Sequence, residues 1–504
     1  MYLHFAAFCF VHVLLFTRTE SLVTETFNQD PIKISIETSR SQYVVDKNFV
    51  SFAFGDSAIK RHWKQIDLRS QKIQELARAL SPSFLRQGGT ESSFFLFDPN
   101  AEHQDSYFLE TYEDDTQEKT YTNYTVTGEE WDLLNKFSSA VDFSLLFDFN
   151  VLLRTPNDQW DPSNAKLLLD YSSKRGYKLH FELGNEPNSM HHAVGRGVDP
   201  LQLGSDFKLL YKILKSHPFY NNSLLVGPDT TRPRKPSVLD YMEKFLSVAA
   251  DVLDVVTWHH YYFDGKDCSV SDFLDVDLMN LLATYISDMR RVVDKYKPGA
   301  VMWLGETADA WGGGAKNLSD RYLAGFMWLD KLGLSAAKGI SMVIKNTLQG
   351  GAYGAIRMDG TPAPTYWISL LHKHLVGETV LNVTCASNVS VTCQRQVRVY
   401  AHCTRTLSIY EKGSVTLIAI NLQEDQAAVI NVPERSIDQY LLSPYGSDGI
   451  TSREIALNGK VLRWKFGQLP SFPPKKLSPG SSISLPPLTY GFFVLPKANA
   501  KACT

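Results

Sequence analysis

The chain has 504 residues, 44% of them hydrophobic, with 51 Lys and Arg against 54 Asp and Glu for a formal net charge of −3. That length predicts one large domain with a smaller companion. The near-neutral balance excludes a globally basic nucleic-acid binder, so an anionic ligand has to be met by local clusters of Lys and Arg.

The chain opens on MYLHFAAFCFVHVLLF, an apolar run followed by small and polar residues from Thr17 to Ser21. This is the pattern of a cleaved secretory signal over residues 1–20, and it is shorter than the roughly 20 apolar residues of a membrane anchor. No later stretch offers a span. Five Asn-X-Ser/Thr triplets, at Asn123, Asn221, Asn317, Asn382 and Asn388, fit passage through the secretory pathway. The expected destination is the extracellular matrix or the lysosome. Within residues 21–48 the alternating run IKISIETS reads as a strand that joins the C-terminal domain.

From residue 49 to 378 short apolar runs alternate with helical stretches, the signature of repeated β/α units around a parallel sheet. The strand runs are SFAF, FLRQGG, FSLLFDFN, LHFELGN, LLVGPDT, VVTWHHY, VMWLGET and SMVIKN. Eight such units close into a (β/α)8 TIM barrel. In the stretch LMNLLATYISDMRRVVDKYKP, Leu278, Leu282, Tyr285, Met289, Val292 and Tyr296 fall on one helical face. The segment 98–124 is acidic and without periodicity, and reads as a long loop after the second strand, either overhanging the rim or solvated at the surface. Beyond residue 378 the runs VRVYAHC, SVTLIAINL, AAVINVP, SISLPPL and YGFFVLP predict an antiparallel β-sandwich over 379–504. Without Cys9 of the leader, five cysteines remain and spacing alone does not pair them. The preferred bridges are Cys403–Cys503 and Cys385–Cys393, with Cys268 a free thiol.

Most strand runs end in polar or small residues, and in a barrel those ends share one rim, where active sites sit. Glu186 in FELGNEPNS and Glu306 in VMWLGET each close an apolar run, on the fourth and seventh strands and 120 residues apart. Two carboxyls aimed into one cleft are what glycoside hydrolysis requires, one protonated to donate to the leaving oxygen and one ionised to attack. Asn185, just before Glu186, is placed to hydrogen-bond a sugar hydroxyl. Arg232, Arg234 and Lys235 lie beyond the fifth strand and Lys266 beyond the sixth, positions suited to sulfate and carboxylate. This chemistry needs neither metal nor cofactor.

The motifs GNEPNS, VTWHHYY, WLGET with the following WGGG, and AGFMWLDKLGLSA resemble those of the heparanases, glycoside hydrolase family 79. The resemblance covers essentially the whole mature chain. It implies a retaining endo-β-D-glucuronidase acting on heparan sulfate, with Glu186 as acid/base and Glu306 as nucleophile. It also implies substrate contacts at Asn185, Thr90, His259, Tyr261, Lys266, Gly312, Gly313, Asn346 and Tyr353, and a heparin-binding segment at Arg232, Arg234 and Lys235. As plain residues, Tyr261 and Tyr353 read equally well as core aromatics and His259 as a packed strand-end histidine.

Several positions depart from the family pattern. Ala53 and Gly55 stand at the first-strand positions of an Asp-X-Asn motif, where Asp56 is the nearest substitute; Trp311 replaces a Tyr and Asn346 a Gln. The 98–124 loop is shorter than the excised linker of the mammalian members, and Lys119 is almost alone there among acids. The expectation is therefore a natively active single chain or a shorter processed loop. The alternatives to a heparan-sulfate endo-hydrolase are a non-catalytic relative that binds the polymer and an exo-acting glucuronidase on other glycans.

Overall fold

The structure, a computed structural model, describes residues 31–102, 121–385, 395–406, 409–432 and 436–504. The expected signal over 1–20, most of the acidic loop with Lys119, the triplet at Asn388, and Cys393 lie outside the described residues. The eight expected runs form β1 (Val50–Gly55), β2 (Ser83–Gly88), β3 (Phe143–Phe149), β4 (Leu179–Leu183), β5 (Val226–Thr230), β6 (Val255–His260), β7 (Met302–Thr307) and β8 (Met342–Asn346). All are parallel neighbours in the order β4-β3-β2-β1-β8-β7-β6-β5. The Phe181 N–H donates to the Leu224 carbonyl at 3.0 Å and Phe181 bridges to Leu225, which closes the ring. The (β/α)8 barrel is thus formed.

The strands are apolar on both faces because helices cover the outside while the inward side chains fill the centre. Ala53, Phe84, Leu146, Val226, Val255, Trp303, Met342 and Ile344 make one buried cluster that plugs the interior. The strand period of two then decides what stands above the plug. Arg86 follows Phe84 by two residues, Asp148 follows Leu146 and Asn346 follows Ile344, so these polar side chains point into the upper end of the barrel.

One expected helix face is rotated. In the helix Val276–Tyr296 the buried residues are Met279, Leu282, Ile286, Met289, Val292 and Val293, while Leu278, Tyr285 and Tyr296 are only half-buried. The series 279, 282, 286, 289, 293 keeps the three-and-four spacing of a helical stripe; the flanking tyrosines are half-buried along its edge, Tyr285 beside the His260 ring and Tyr296 with its hydroxyl donating to Glu243.

The second domain is a sandwich. Its larger sheet runs through β9 (Val376–Leu381), β11 (Val397–Thr404), β12 (Val415–Asn421), β17 (Thr489–Leu495), β14 (Asp438–Tyr445) and β15 (Glu454–Leu457). The smaller sheet contains β10 (Val383–Cys385), β13 (Ala428–Asn431) and β16 (Ile483–Leu485). The strand Ile32–Ile36, from ahead of the barrel, inserts between β10 and β13. It runs antiparallel to β10 but parallel to β13, so the sheet is not purely antiparallel. A strand arriving from the far end of the chain has no hairpin to fix its direction. Cys403 and Cys503 are bridged with their Cα atoms 5.3 Å apart, and Cys268 is free. Cys385 is also disulfide-bonded, and its expected partner is outside the described residues. Among the described residues no helix is long and apolar enough to cross a membrane.

Candidate active site

At the C-terminal rim of the barrel lies an open cleft of about 2860 Å³. Every residue singled out from the sequence as a site candidate lines it: Glu186, Glu306, Asn185, Thr90, His259, Tyr261, Lys266, Gly312, Gly313, Arg232, Arg234, Lys235, Asn346 and Tyr353.

The local fold fixes the first carboxylate. After β4 the chain turns at Gly184, which has φ 84° and would put a Cβ 2.7 Å from the Val151 side chain, so only glycine fits. Glu186 itself sits in the left-handed region at φ 43°, ψ 51°, and its N–H donates to the Asp229 carbonyl at 3.0 Å. A non-glycine residue held there carries strain that its surroundings must overcome, a feature common at functional sites. Glu306 comes from β7, where the Cα register pairs it with His259 of β6.

Arg86, fully buried at the centre, organises the floor. Its Nε donates to Glu182 at 2.7 Å, Nη1 to Glu306 at 2.8 Å, and Nη2 to Asn185 at 3.0 Å and to Asp229 at 3.3 Å. The other oxygen of Glu306 accepts from the Tyr261 hydroxyl at 2.5 Å. A donor on each oxygen is the arrangement that stabilises a carboxylate. Glu186 is held differently. Among the described residues it has one side-chain hydrogen bond, to His259 Nδ1 at 3.1 Å, and its side chain is 24% exposed against 13% for Glu306. His259 lies between two carboxylates, with its Nε2 3.4 Å from Asp229.

The electrostatics follow from burial and this charge cluster. Burial opposes a charge on His259, but Glu306, Asp229 and Glu186 outweigh it and raise the imidazole to about 10. Burial likewise opposes the Asp229 charge, yet Arg86 and His259 hold that carboxyl below its ordinary range. Glu182 goes the other way: burial, only partly offset by Arg86, drives it well above the usual carboxyl value. Burial also lifts Asp148 to about 7 against the pull of Arg86; its oxygens accept from Ser92 and, at 2.6 Å, from the Gly184 N–H.

The charged rim divides in two. Arg232 turns inward, its Nη1 donating to the Tyr261 carbonyl and, at 2.6 Å, to the Tyr262 carbonyl, with its guanidinium 4.7 Å from the Trp311 ring centre. Arg234, Lys235 and Lys266 are exposed on the rim. Lys60, Arg61, Lys64 and Lys316 also line the cleft and were not singled out from the sequence. For the first three the signal was legible, since KRHWK comes soon after the first strand run, separated from it only by GDSAI. Arg86, Glu182 and Asp148 were missed as well. Each is a charge interrupting an apolar strand, which in a barrel marks a side chain aimed at the interior.

Residues 53–333 match the glycosyl hydrolase family 79 N-terminal domain. The chain is 40% identical to the heparanase of Gallus gallus over 86% of this chain and 90% of that one. It is 34% identical to the inactive heparanase-2 of Homo sapiens over 94% and 89% of the two chains. Among solved structures, a 4-O-α-L-rhamnosyl-β-D-glucuronidase from Fusarium oxysporum shares the fold at 14% identity, with a TM-score of 0.66 over 92% of this chain and all of that one. The chain belongs to glycosyl hydrolase family 79.

Proposed function

We propose that the protein is a retaining endo-β-D-glucuronidase that cleaves heparan sulfate. The observation that carries this reading is the asymmetry of the two acids within one cleft: Glu306 is clamped by Arg86 and Tyr261, and Glu186 is more exposed with a single tether. A clamped carboxylate suits the nucleophile, and a looser acid suits a group that gives up a proton and later takes one back.

In the first half-reaction a Glu306 oxygen forms a bond to the anomeric carbon as the glycosidic C–O bond breaks, and the Glu186 proton goes to the leaving oxygen. In the second, Glu186 takes a proton from water, whose oxygen displaces Glu306 and regenerates both acids. Asn185, its oxygen engaged by Arg86, keeps its amide hydrogens for a sugar hydroxyl.

The cleft exceeds the roughly 300–1,000 Å³ of a small-molecule site, which suits a polymer bound along its length. Its lining includes Lys60, Arg61, Lys64, Arg232, Arg234, Lys235, Lys266 and Lys316, cations concentrated in a chain whose overall charge is negative. They match a sulfated uronate polymer. The leader-like N-terminus, the Cys403–Cys503 disulfide and the exposed Asn123, Asn221, Asn317 and Asn382 support a secreted or lysosomal protein.

The test is size-exclusion profiling of heparan sulfate digested by wild type, Glu186→Gln and Glu306→Gln, with NMR of the first anomer formed. Expected are early oligosaccharides, a β-configured product, and at least a roughly hundredfold loss in both variants. Near-normal turnover by either variant removes that residue from its role. Early monosaccharide indicates exo action, and tight heparin retention without chain shortening indicates a binding protein.

A further inference from the structure

Strand β8 ends at Asn346, whose amide nitrogen lies 3.0 Å from the Tyr261 hydroxyl and 3.1 Å from the Tyr353 hydroxyl. The direction of the first contact is forced. A phenol has one proton, and that of Tyr261 is given to Glu306 at 2.5 Å. The Tyr261 oxygen must then accept from Asn346, so the NH2 side of the amide faces it rather than the carbonyl side. The second amide hydrogen serves Tyr353. Both hydrogens are therefore used within the protein, beside a cluster in which Tyr261, Ala308 and Tyr353 pack together with Trp311 against them.

We propose that Asn346 is a positioning residue for the glycosidase reaction: by donating to Tyr261 it aims the Tyr261 hydroxyl at Glu306. The proposal rests on Glu306 being the nucleophile. Several charged or polar groups meet Glu306 or its partners: Arg86 from β2, Glu186 after β4, Asp229 from β5 and His259 from β6. Of the two residues that donate directly to Glu306, Arg86 has a guanidinium fixed by several acceptors, whereas Tyr261 has a hydroxyl that can rotate. Occupying the Tyr261 lone pair from β8 restricts that rotor to the orientation in which its proton meets the carboxylate.

The role predicts a split between turnover and binding. Asn346→Leu, near-isosteric and without a donor, should lower kcat about tenfold, the worth of one hydrogen bond, and leave KM within about twofold. In a Tyr261→Phe background the same change should cost less than about twofold, because there is no hydroxyl left to aim. Asn346→Gln, which keeps an NH2 group, should recover most of the loss. Should Asn346→Leu fold poorly, the isosteric Asn346→Asp offers an oxygen that competes for the Tyr261 proton, and it should lower kcat at least as far. A raised KM with intact kcat, or equal costs in both backgrounds, would mean that Asn346 meets the substrate itself and would overturn the proposal. Crystal structures of the unliganded wild type and Asn346→Leu read the contact without any reaction. The Tyr261 hydroxyl should leave Glu306 in the variant, and its staying at hydrogen-bond distance overturns the proposal even if the wild type cleaves heparan sulfate. Conversely, a released Tyr261 in a protein that cleaves no β-glucuronide upholds the contact and rejects the reaction.

Discussion

His259 shows how one side chain takes its character from its neighbours. An isolated imidazole titrates near 6.5, but this one, between Glu186 and Asp229 and beside Glu306, is raised to about 10 despite complete burial. The consequence for stability has a definite sign. A base whose folded value lies above its unfolded value adds stability that is complete below about pH 6.5 and is lost as pH rises toward about 10. Lys345 opposes this in the upper part of the range, since burial lowers it to about 8. A difference between variants is therefore the cleaner measure. The gap in thermal midpoint between wild type and His259→Asn should be widest at about pH 6 and should shrink steadily toward about pH 9.5, followed by differential scanning fluorimetry in matched buffers. A gap constant across that window would mean that His259 is not held as an imidazolium. Such an imidazolium cannot act as a base toward substrate, which leaves it the task of setting the field at Glu186.

The elements differ in how much of them the sequence displayed. The barrel strands were legible because each is a short apolar run closed by a polar or small residue, and the same punctuation exposed Glu186, Glu306, His259 and Asn346 at the rim. Arg86, Glu182 and Asp148 were not, because an embedded charge acquires meaning only from partners contributed by other strands, such as the carboxylates that surround Arg86. In the helix Val276–Tyr296 large residues on adjoining stripes hid the buried one. The helix Ala324–Ala337 is buried from Ala324 to Ala336, in keeping with a sequence that is mostly apolar on every side and carries only Asp330, Lys331 and Ser335 as polar residues. At Gly325 an added Cβ would lie 2.0 Å from the Tyr490 hydroxyl oxygen and 2.7 Å from Ile368 Cδ1. Tyr490 cannot yield easily, since its hydroxyl donates to the Tyr322 carbonyl at 3.0 Å and its ring stacks on Tyr322. Alanine gains about 1 kcal/mol of helix propensity over glycine, while overpacking costs about 1–3 kcal/mol. Because the added Cβ would lie only 2.0 Å from a tethered Tyr490, the upper end of that cost applies, and Gly325→Ala should be a net loss of about 2 kcal/mol in denaturant melts, whereas Gly197→Ala, with open space around it, should be neutral. Stabilisation by Gly325→Ala would show that the sandwich rests on this helix less tightly than the geometry requires.

At the scale of the molecule the sandwich is part of what holds the barrel together. The strand Ile32–Ile36 precedes the barrel yet is paired inside the sandwich, and the C-terminal tail is tied back by Cys403–Cys503 across 100 residues of chain. Across the interface Arg398 of β11 donates to Asp330 at 3.1 Å and to Asn280 at 2.9 Å, and the Tyr400 hydroxyl donates to Asp330 at 2.6 Å. Asp330 is completely buried on the helix Ala324–Ala337, which follows β7 and its Glu306. Removing the sandwich would expose the apolar surface of that helix and strip Asp330 of its partners, and a buried pair broken on one side costs about 3–5 kcal/mol. That is a large share of the about 5–15 kcal/mol that separates a folded domain from its unfolded chain. A fragment of residues 49–375, although it contains all eight barrel strands and both candidate acids, should therefore fail to give a cooperative, monodisperse domain. Size-exclusion chromatography with light scattering, together with near-ultraviolet circular dichroism, checks this. A monomeric fragment with a sharp thermal transition would show that the barrel folds alone and that the sandwich is an attached module with no part in supporting β7.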